Sequence, residues 1–96
     1  MVLFKSEYEM KISFEEQAWE HFLYWLEEDK KTLRKIKKLL ADISRNGYDG
    51  IGHPEPLKGD LSGFWSREID EKNRLVYKIE NDCIKIYQCK NHYNDK

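Results

Sequence analysis

The sequence predicts an α+β fold in which a two-helix hairpin covers one face of an antiparallel sheet. Two segments with helical apolar spacing follow each other almost without a break in the first half of the chain. A loop-forming stretch comes next, because all five glycines and both prolines lie between positions 47 and 63. Three segments typical of strands then follow, separated by short polar turns. A strand, two helices and an antiparallel meander form two packed layers.

The size of the chain predicts one domain over residues 1–96, with residues 1–9 as an N-terminal extension or an extra strand. Hydrophobic residues make up 40% of the chain and charged residues 36%, and three Trp, six Tyr and four Phe supply buriable surface. The longest apolar run, Phe22–Leu26, is far shorter than the roughly 20 residues of a membrane span. No secretory signal is visible, so we expect a cytoplasmic protein.

The two helices are expected to run from Phe14 to about Glu28 and from Lys30 to about Arg45. In the first, apolar residues at positions 18, 19, 22, 23 and 26 predict the buried stripe. In the second, the stripe is expected at positions 33, 36, 39, 40 and 43. Asp29 is the predicted N-cap of the second helix, and Asn46-Gly47 is expected to end it.

Five strands are expected, and one of them suggests which sheet face is functional. In the segment 74–80, residues 75, 77 and 79 are expected to face the helices, which leaves residues 74, 76 and 78 on the opposite, open face. We expect functional side chains on that open face. The predicted strands are Met10–Ser13, Leu57–Lys58, Phe64–Ile69, Arg74–Glu80 and Cys83–Cys89.

The two cysteines are expected to be reduced thiols. Cys83 and Cys89 are an even number of positions apart, which places them on one face of a regular strand, about 20 Å from each other. That separation is too long for a disulfide. No spacing typical of zinc ligands occurs in the chain.

Charge is concentrated in one helix-length segment. The whole chain has a net charge of −1, but residues 30–45 contain seven basic residues and one acidic residue, a net charge of +6. A solvated helix face is the ordinary interpretation of such a pattern, and contact with RNA phosphates is the functional one. The basic side chains expected opposite the apolar stripe are Lys31, Arg34, Lys35 and Lys38.

A set of polar residues around the predicted open face fits phosphodiester chemistry. Cleavage of RNA by its own 2′-OH requires a base, an acid and positive charge near the phosphate. Spacing alone does not show that the candidates converge, and each also fits a solvated or ion-paired surface role. The candidate residues are Glu55, Lys58, Arg67, Arg74, His92 and Tyr93.

Several long strings resemble the YoeB (Txe) toxins of the RelE superfamily, over roughly Met10 to Tyr93. The resemblance implies a RelE-like microbial ribonuclease fold, a two-helix hairpin packed on one face of a twisted antiparallel sheet. In one departure, Glu68 stands where the family often places a second basic residue. The strings are Trp19–Trp25, Pro54–Lys58, Leu61–Arg67, Asn73–Tyr77 and His92-Tyr93.

The resemblance implies the toxin of a type II toxin–antitoxin system, an endoribonuclease that cleaves mRNA in the ribosomal A site without metal or cofactor. It implies that Glu55 is the general base, that His92 is the general acid and that Arg74 stabilises the scissile phosphate. Lys58 and Arg67 would assist in stabilising charge or in positioning the RNA, and Tyr93 would help to orient the substrate or the site.

The implied partners are a YefM (Phd)-type antitoxin, the ribosome and its mRNA, and a second copy in a homodimer. The resemblance also favours rRNA phosphates as the ligand of the basic helix face. Two alternatives stay open. One is a non-catalytic binding module like the ParE branch, which inhibits DNA gyrase. The other is a degenerate toxin that is kept for its complex with the antitoxin.

Overall fold

The computed structural model describes residues 2–5 and 10–92, and it confirms the two-layer α+β architecture. Helices α1 (Glu16–Glu28) and α2 (Lys30–Asn46) are separated by Asp29 alone. Within the described part of the chain, no helix is long and apolar enough to cross a membrane. The strands are β1 (Val2–Lys5), β2 (Lys11–Phe14), β3 (Glu55–Pro56), β4 (Trp65–Glu68), β5 (Arg74–Glu80) and β6 (Cys83–Gln88).

The strands form one sheet in the order β1-β2-β6-β5-β4-β3. The expected antiparallel arrangement is wrong at one pair, because β2 runs parallel to β6 and the sheet is therefore mixed. Both helices and the meander lie between these two strands in the sequence, so no short hairpin forces them to run in opposite directions. The predicted strand at Leu57–Lys58 is also displaced, since the edge strand is Glu55–Pro56.

Helix α2 forms as predicted. The Asp29 carboxylate accepts hydrogen bonds from the Thr32 hydroxyl (2.8 Å) and from the backbone N–H of Lys31 (3.1 Å). These bonds, led by that of the Thr32 side chain, lower the pKa of Asp29. Gly47 ends the helix at a φ of +66°. The predicted stripe is the buried one: Leu33, Ile36, Leu39, Leu40 and Ile43.

The buried stripe of α1 differs from the prediction. Leu23 and Leu26 are 39% and 45% exposed, whereas Trp25 is buried. The Trp25 indole N–H donates a hydrogen bond to the carbonyl of Cys89 (2.8 Å), and Ala18 lies fully buried on the same side. The face of α1 that carries Trp25 is therefore turned toward the core, because the indole ring is bulky and its hydrogen-bond acceptor lies there. The spacing of apolar residues along the helix does not reveal this acceptor.

A β-bulge separates the two cysteines. Val76 pairs with Gln88 while Tyr77 pairs with Ile86, so Tyr87 has no partner in the ladder. The extra residue reverses the alternation of side chains between the two faces of the sheet. The prediction that Cys83 and Cys89 share one face is therefore wrong. Cys89 lies in the core against Ala18, whereas Cys83 contacts Ser13 away from it. Both thiols are free, and burial raises the pKa of Cys89 to about 12.

A buried arginine ties the loop after α2 to both layers. Arg67 on β4 is 0% exposed and forms an ion pair with Asp42 of α2. Its Nε donates to the Tyr77 hydroxyl (3.1 Å). Burial alone would raise the pKa of Asp42, but the hydrogen bonds it accepts, first that from Arg67, lower it. The guanidinium also donates to the carbonyls of Gly47 (2.9 Å), Asp49 (2.7 Å) and Ile51 (3.0 Å).

We predict that Arg67→Met lowers the free energy of unfolding by about 3–5 kcal/mol, because it leaves Asp42 as a partly buried charge without its partner. Arg34→Met is the matched control: this side chain is exposed, and the expected change is within about 0.5 kcal/mol. Urea unfolding of the three proteins measures both values. Equal stability of the two variants would contradict a structural role for Arg67.

Candidate active site

Glu55 lies in a row of residues that crosses the sheet. Cross-strand pairing aligns Glu55 with Ser66, then Val76, then Gln88. Leu75 and Tyr77, the neighbours of Val76, pack in the core under the helices, so this row faces the other way. The Glu55 side chain is exposed at the sheet edge, while Ser66 and Val76 are buried. The face away from the helices is therefore only partly open.

The C-terminal segment after β6 is attached to α1 and to β5. The backbone N–H of Cys89 donates to His21 Nδ1 (3.2 Å), and the Cys89 carbonyl accepts from Trp25. Two residues later, the carbonyl of Asn91 accepts from the backbone N–H of Arg74 (3.1 Å). His92 is therefore the immediate neighbour of a residue that is bonded to Arg74. These contacts place His92 at the Arg74 end of β5.

The Arg74 side chain is directed toward the turn before β5. One of its nitrogens donates to the carbonyl of Asp70 (2.6 Å), and Nη2 lies 3.8 Å from Glu68 Oε2. The Arg74 side chain is 14% exposed, so it presents a small part of its guanidinium to solvent. It borders an open cleft of about 480 Å³, which is lined by Lys35, Gly52, His53, Glu68, Ile69, Asp70, Glu71 and Arg74.

This cleft joins the basic helix to the candidate site. Lys35 reaches it from α2 and Arg74 from β5, while His53 Nδ1 lies 3.1 Å from Glu68 Oε1. His53 and Glu68 are not among the site residues predicted from the sequence. The backbone N–H of Glu68 donates a hydrogen bond to the Gly52 carbonyl (2.7 Å). This bond places His53, the next residue in the chain, beside Glu68. Such a contact between a loop residue and a distant strand residue has no local signal in the sequence.

The predicted site residues differ in their places in the fold and in their exposure. Glu55, Arg74 and His92 lie on connected strands and their adjoining segment, as described above. Lys58 is exposed just beyond β3. Arg67 is fully enclosed, so the expectation that it binds RNA is wrong in this structure. Tyr93 lies outside the described residues.

The basic face of α2 is at the surface. Lys31, Arg34 and Lys38 are exposed, and Lys35 is half-buried where it borders the cleft. This surface is therefore continuous with the cleft that holds Arg74. Within residues 2–5 and 10–92, no group of three or more His, Cys, Asp or Glu side chains is arranged to hold a metal ion.

Comparison with known sequences identifies close relatives. Residues 14–93 match the family model described as the YoeB-like toxin of bacterial type II toxin–antitoxin systems. Toxin YoeB of Streptomyces coelicolor is 50% identical over 84 residues, which are 88% of this chain and 100% of that protein. Toxin RelK of Mycobacterium tuberculosis is 48% identical over 82 residues, 85% of this chain and 96% of that protein.

Solved structures agree with the sequence comparison. A YoeB–YefM complex from Staphylococcus aureus contains a chain that superposes with a TM-score of 0.83 at 46% identity, over 88% of this chain and 98% of that one. A YoeB dimer from the same organism gives 0.80 at 48% identity, over 85% and 95% of the two chains. YafQ from Escherichia coli, with a TM-score of 0.65 and 14% identity over 86% and 93%, shares the fold alone.

We predict that acidification weakens the attachment of the C-terminal segment. His21 Nδ1 accepts a hydrogen bond and must be unprotonated; burial, with a smaller effect of Lys90, lowers its pKa. The unfolded chain, in which a His pKa is about 6.5, therefore binds more protons than the folded one just below that pH. The free energy of unfolding should fall as the pH decreases from about 6.5 toward the folded pKa.

Urea unfolding at a series of pH values tests this, with His21→Asn as the control, because Asn offers an acceptor oxygen and does not titrate. We expect a shallower pH dependence for the variant below about pH 6.5. An unchanged dependence would show that His21 does not link protons to folding.

Proposed function

The chain belongs to the family of YoeB-like toxins of bacterial type II toxin–antitoxin systems, and from this premise we propose that it is a ribosome-dependent endoribonuclease. Its substrate would be mRNA in the ribosomal A site, and its cleavage would stop translation. The proposed reaction needs no metal or cofactor, because side chains supply the acid, the base and the positive charge.

In the proposed mechanism, Glu55 accepts the proton of a ribose 2′-OH as that oxygen attacks the adjacent phosphorus. The bond from phosphorus to the 5′ oxygen breaks, and His92 donates a proton to this leaving oxygen. Arg74 and Lys58 stabilise the extra negative charge on the phosphate in the transition state. The products are a 2′,3′-cyclic phosphate and a free 5′-OH.

The hydrogen bond from the Arg74 backbone to the Asn91 carbonyl is the observation that most supports this proposal. It holds the segment that contains His92 against the strand that carries Arg74. Glu55 belongs to the row of Val76, two residues along β5 from Arg74. A base at the edge strand and an acid beyond β6 can thus approach a phosphate from opposite sides.

We also propose that the exposed basic face of α2 binds rRNA phosphates. Its lysines and arginine can neutralise a backbone without reading its sequence. Lys35 connects this face to the cleft at Arg74, so binding there would bring mRNA to the site. The proposed cellular partner is a YefM-type antitoxin, as in the Staphylococcus aureus complex, and self-association is proposed from the dimer of that relative.

A non-catalytic toxin is the alternative, and one contact favours it. Glu68 lies 3.8 Å from Arg74 Nη2, and the same guanidinium is bonded to turn carbonyls. In an active enzyme, Arg74 must turn from these partners toward the phosphate. A chain that leaves mRNA intact on ribosomes, yet still binds its antitoxin, would support the alternative.

We predict that Glu55→Gln and His92→Gln each reduce ribosome-dependent cleavage by about 10²–10⁴-fold, because each removes one proton-transfer group. Arg74→Lys should also lose activity, since a point charge replaces a planar, bidentate donor. Cleavage is measured by primer extension on mRNA in a translation reaction, with and without ribosomes. Asp60→Asn, a neighbouring exposed carboxylate, is the control for Glu55. Full activity of His92→Gln would exclude the proposed acid.

We predict that the triple variant Lys31→Ala, Arg34→Ala, Lys38→Ala binds ribosomes more weakly and with less dependence on salt. Each lost phosphate contact should reduce the slope of log affinity against log salt by about 0.7–0.9. Co-sedimentation with ribosomes at several salt concentrations measures the slope. Lys11→Ala, an exposed lysine on β2, is the control and should leave the slope unchanged. An unaltered slope in the triple variant would show that this face is merely solvated.

A further inference from the structure

Two aromatic rings and a lysine form a cluster on the sheet face opposite the helices. Phe64, which directly precedes β4, and Tyr87 of β6 have ring centroids 5.5 Å apart, with their planes at 54°. Lys78 Nζ lies 5.0 Å from the centroid of the Phe64 ring. We call these three residues the aromatic platform. The proposed proton transfers do not use them.

The platform is not part of the hydrophobic core. Tyr77 belongs to the core under the helices and Trp65 packs against it, whereas Phe64 and Lys78 are their neighbours in the chain and face the other way. Phe64 and Tyr87 are only half-buried, so both rings keep surface that a ligand can cover. The contact between the two rings therefore leaves part of each ring exposed to solvent.

The platform lies close to the row that contains Glu55. Val76 belongs to that row, and Lys78 is two residues farther along β5, on the same face. Two residues of a strand span about 7 Å. An RNA chain whose phosphate lies between Glu55 and Arg74 can reach the platform with its neighbouring nucleotide.

The β-bulge in β6 determines the direction of the Tyr87 side chain. Because Tyr87 is the unpaired residue, both Tyr87 and Gln88 are turned away from the helices. The Tyr87 carbonyl accepts a hydrogen bond from the Gln17 side chain of α1 (2.9 Å), which fixes the bulge. Bulges beside active sites commonly redirect a side chain in this way.

The charges around the platform suit a nucleotide. Lys78 and Lys85 both contact Glu80, at 3.4 and 2.8 Å, so two cations share one carboxylate. These contacts lower the pKa of Glu80, first through the hydrogen bond from Lys85. The excess positive charge is available to a phosphate, and the rings offer flat surfaces to a base.

We propose that Phe64, Tyr87 and Lys78 bind an unpaired base of the substrate RNA, one nucleotide from the bond that is cut. This inference rests on the proposed ribonuclease function. The base stacks on the rings, and the adjoining phosphate pairs with the lysine. Stacking accepts any base, so the platform holds the strand in place and does not read its sequence.

The test uses mRNA with an abasic nucleotide on either side of the cleavage position. For the parent protein, one abasic position should raise KM about tenfold. Tyr87→Leu should raise KM about as much on intact mRNA and should show no further loss on the abasic mRNA. Tyr87→Phe keeps the ring, so its KM should rise on the abasic mRNA relative to intact mRNA, as it does for the parent protein. If the substitution Tyr87→Leu and the abasic nucleotide each raise KM and their effects multiply when combined, the ring and the base do not interact, and the proposal is overturned.

A second measurement separates the platform from the ribonuclease proposal. If the parent protein cleaves no mRNA, the proposed function fails, and binding of a 2′-O-methyl trinucleotide is followed by NMR. Shifts of the Phe64 and Tyr87 ring protons that Tyr87→Leu abolishes would support the platform, whereas an absence of shifts would overturn it. A Tyr87→Leu protein that binds antitoxin poorly but cleaves normally would also overturn it.

Discussion

The hydrogen bonds and the ion pair of buried Arg67 are the interactions on which the position of β3, the strand of Glu55, depends. Removing a guanidinium from water is costly unless its donors are satisfied, and here Asp42, three carbonyls and a tyrosine hydroxyl accept them. The carbonyls belong to the loop that leads into β3 and Glu55. At Gly50, with a φ of +122°, a Cβ would collide with the Asp42 carboxylate, so only glycine lets the loop approach this closely.

The other half of the candidate site is attached to a different helix. Trp25 and His21 of α1 hold the backbone of Cys89, and Asn91 is bonded to the backbone of Arg74. Glu55 is thus positioned through α2 and His92 through α1. The positions of both residues therefore depend on contacts with the helices, so the candidate site requires both layers of the domain to be folded.

Charge in the cleft is mixed, although the resemblance favours a basic surface. Glu68 lies beside both Arg74 and His53, and Asp70 and Glu71 also line the cleft. These carboxylates weaken the attraction of the cleft for phosphate. Lys35 and the exposed residues of α2 supply the positive charge instead, so RNA binding and RNA cleavage would depend on different parts of the surface.

The sequence by itself determined α2, whose cap at Asp29, stop at Gly47 and apolar stripe are local signals, and it determined β5 as Arg74–Glu80. It also identified Glu55, Arg74 and His92 as candidates, through residue type and resemblance. Only the tertiary structure decided that Arg67 is enclosed, that Trp25 turns inward and that a bulge at Tyr87 separates the cysteines. Each of these depends on a partner distant in the chain. A local pattern carries helix caps and periodicity, but it does not specify which distant acceptor a buried donor will meet.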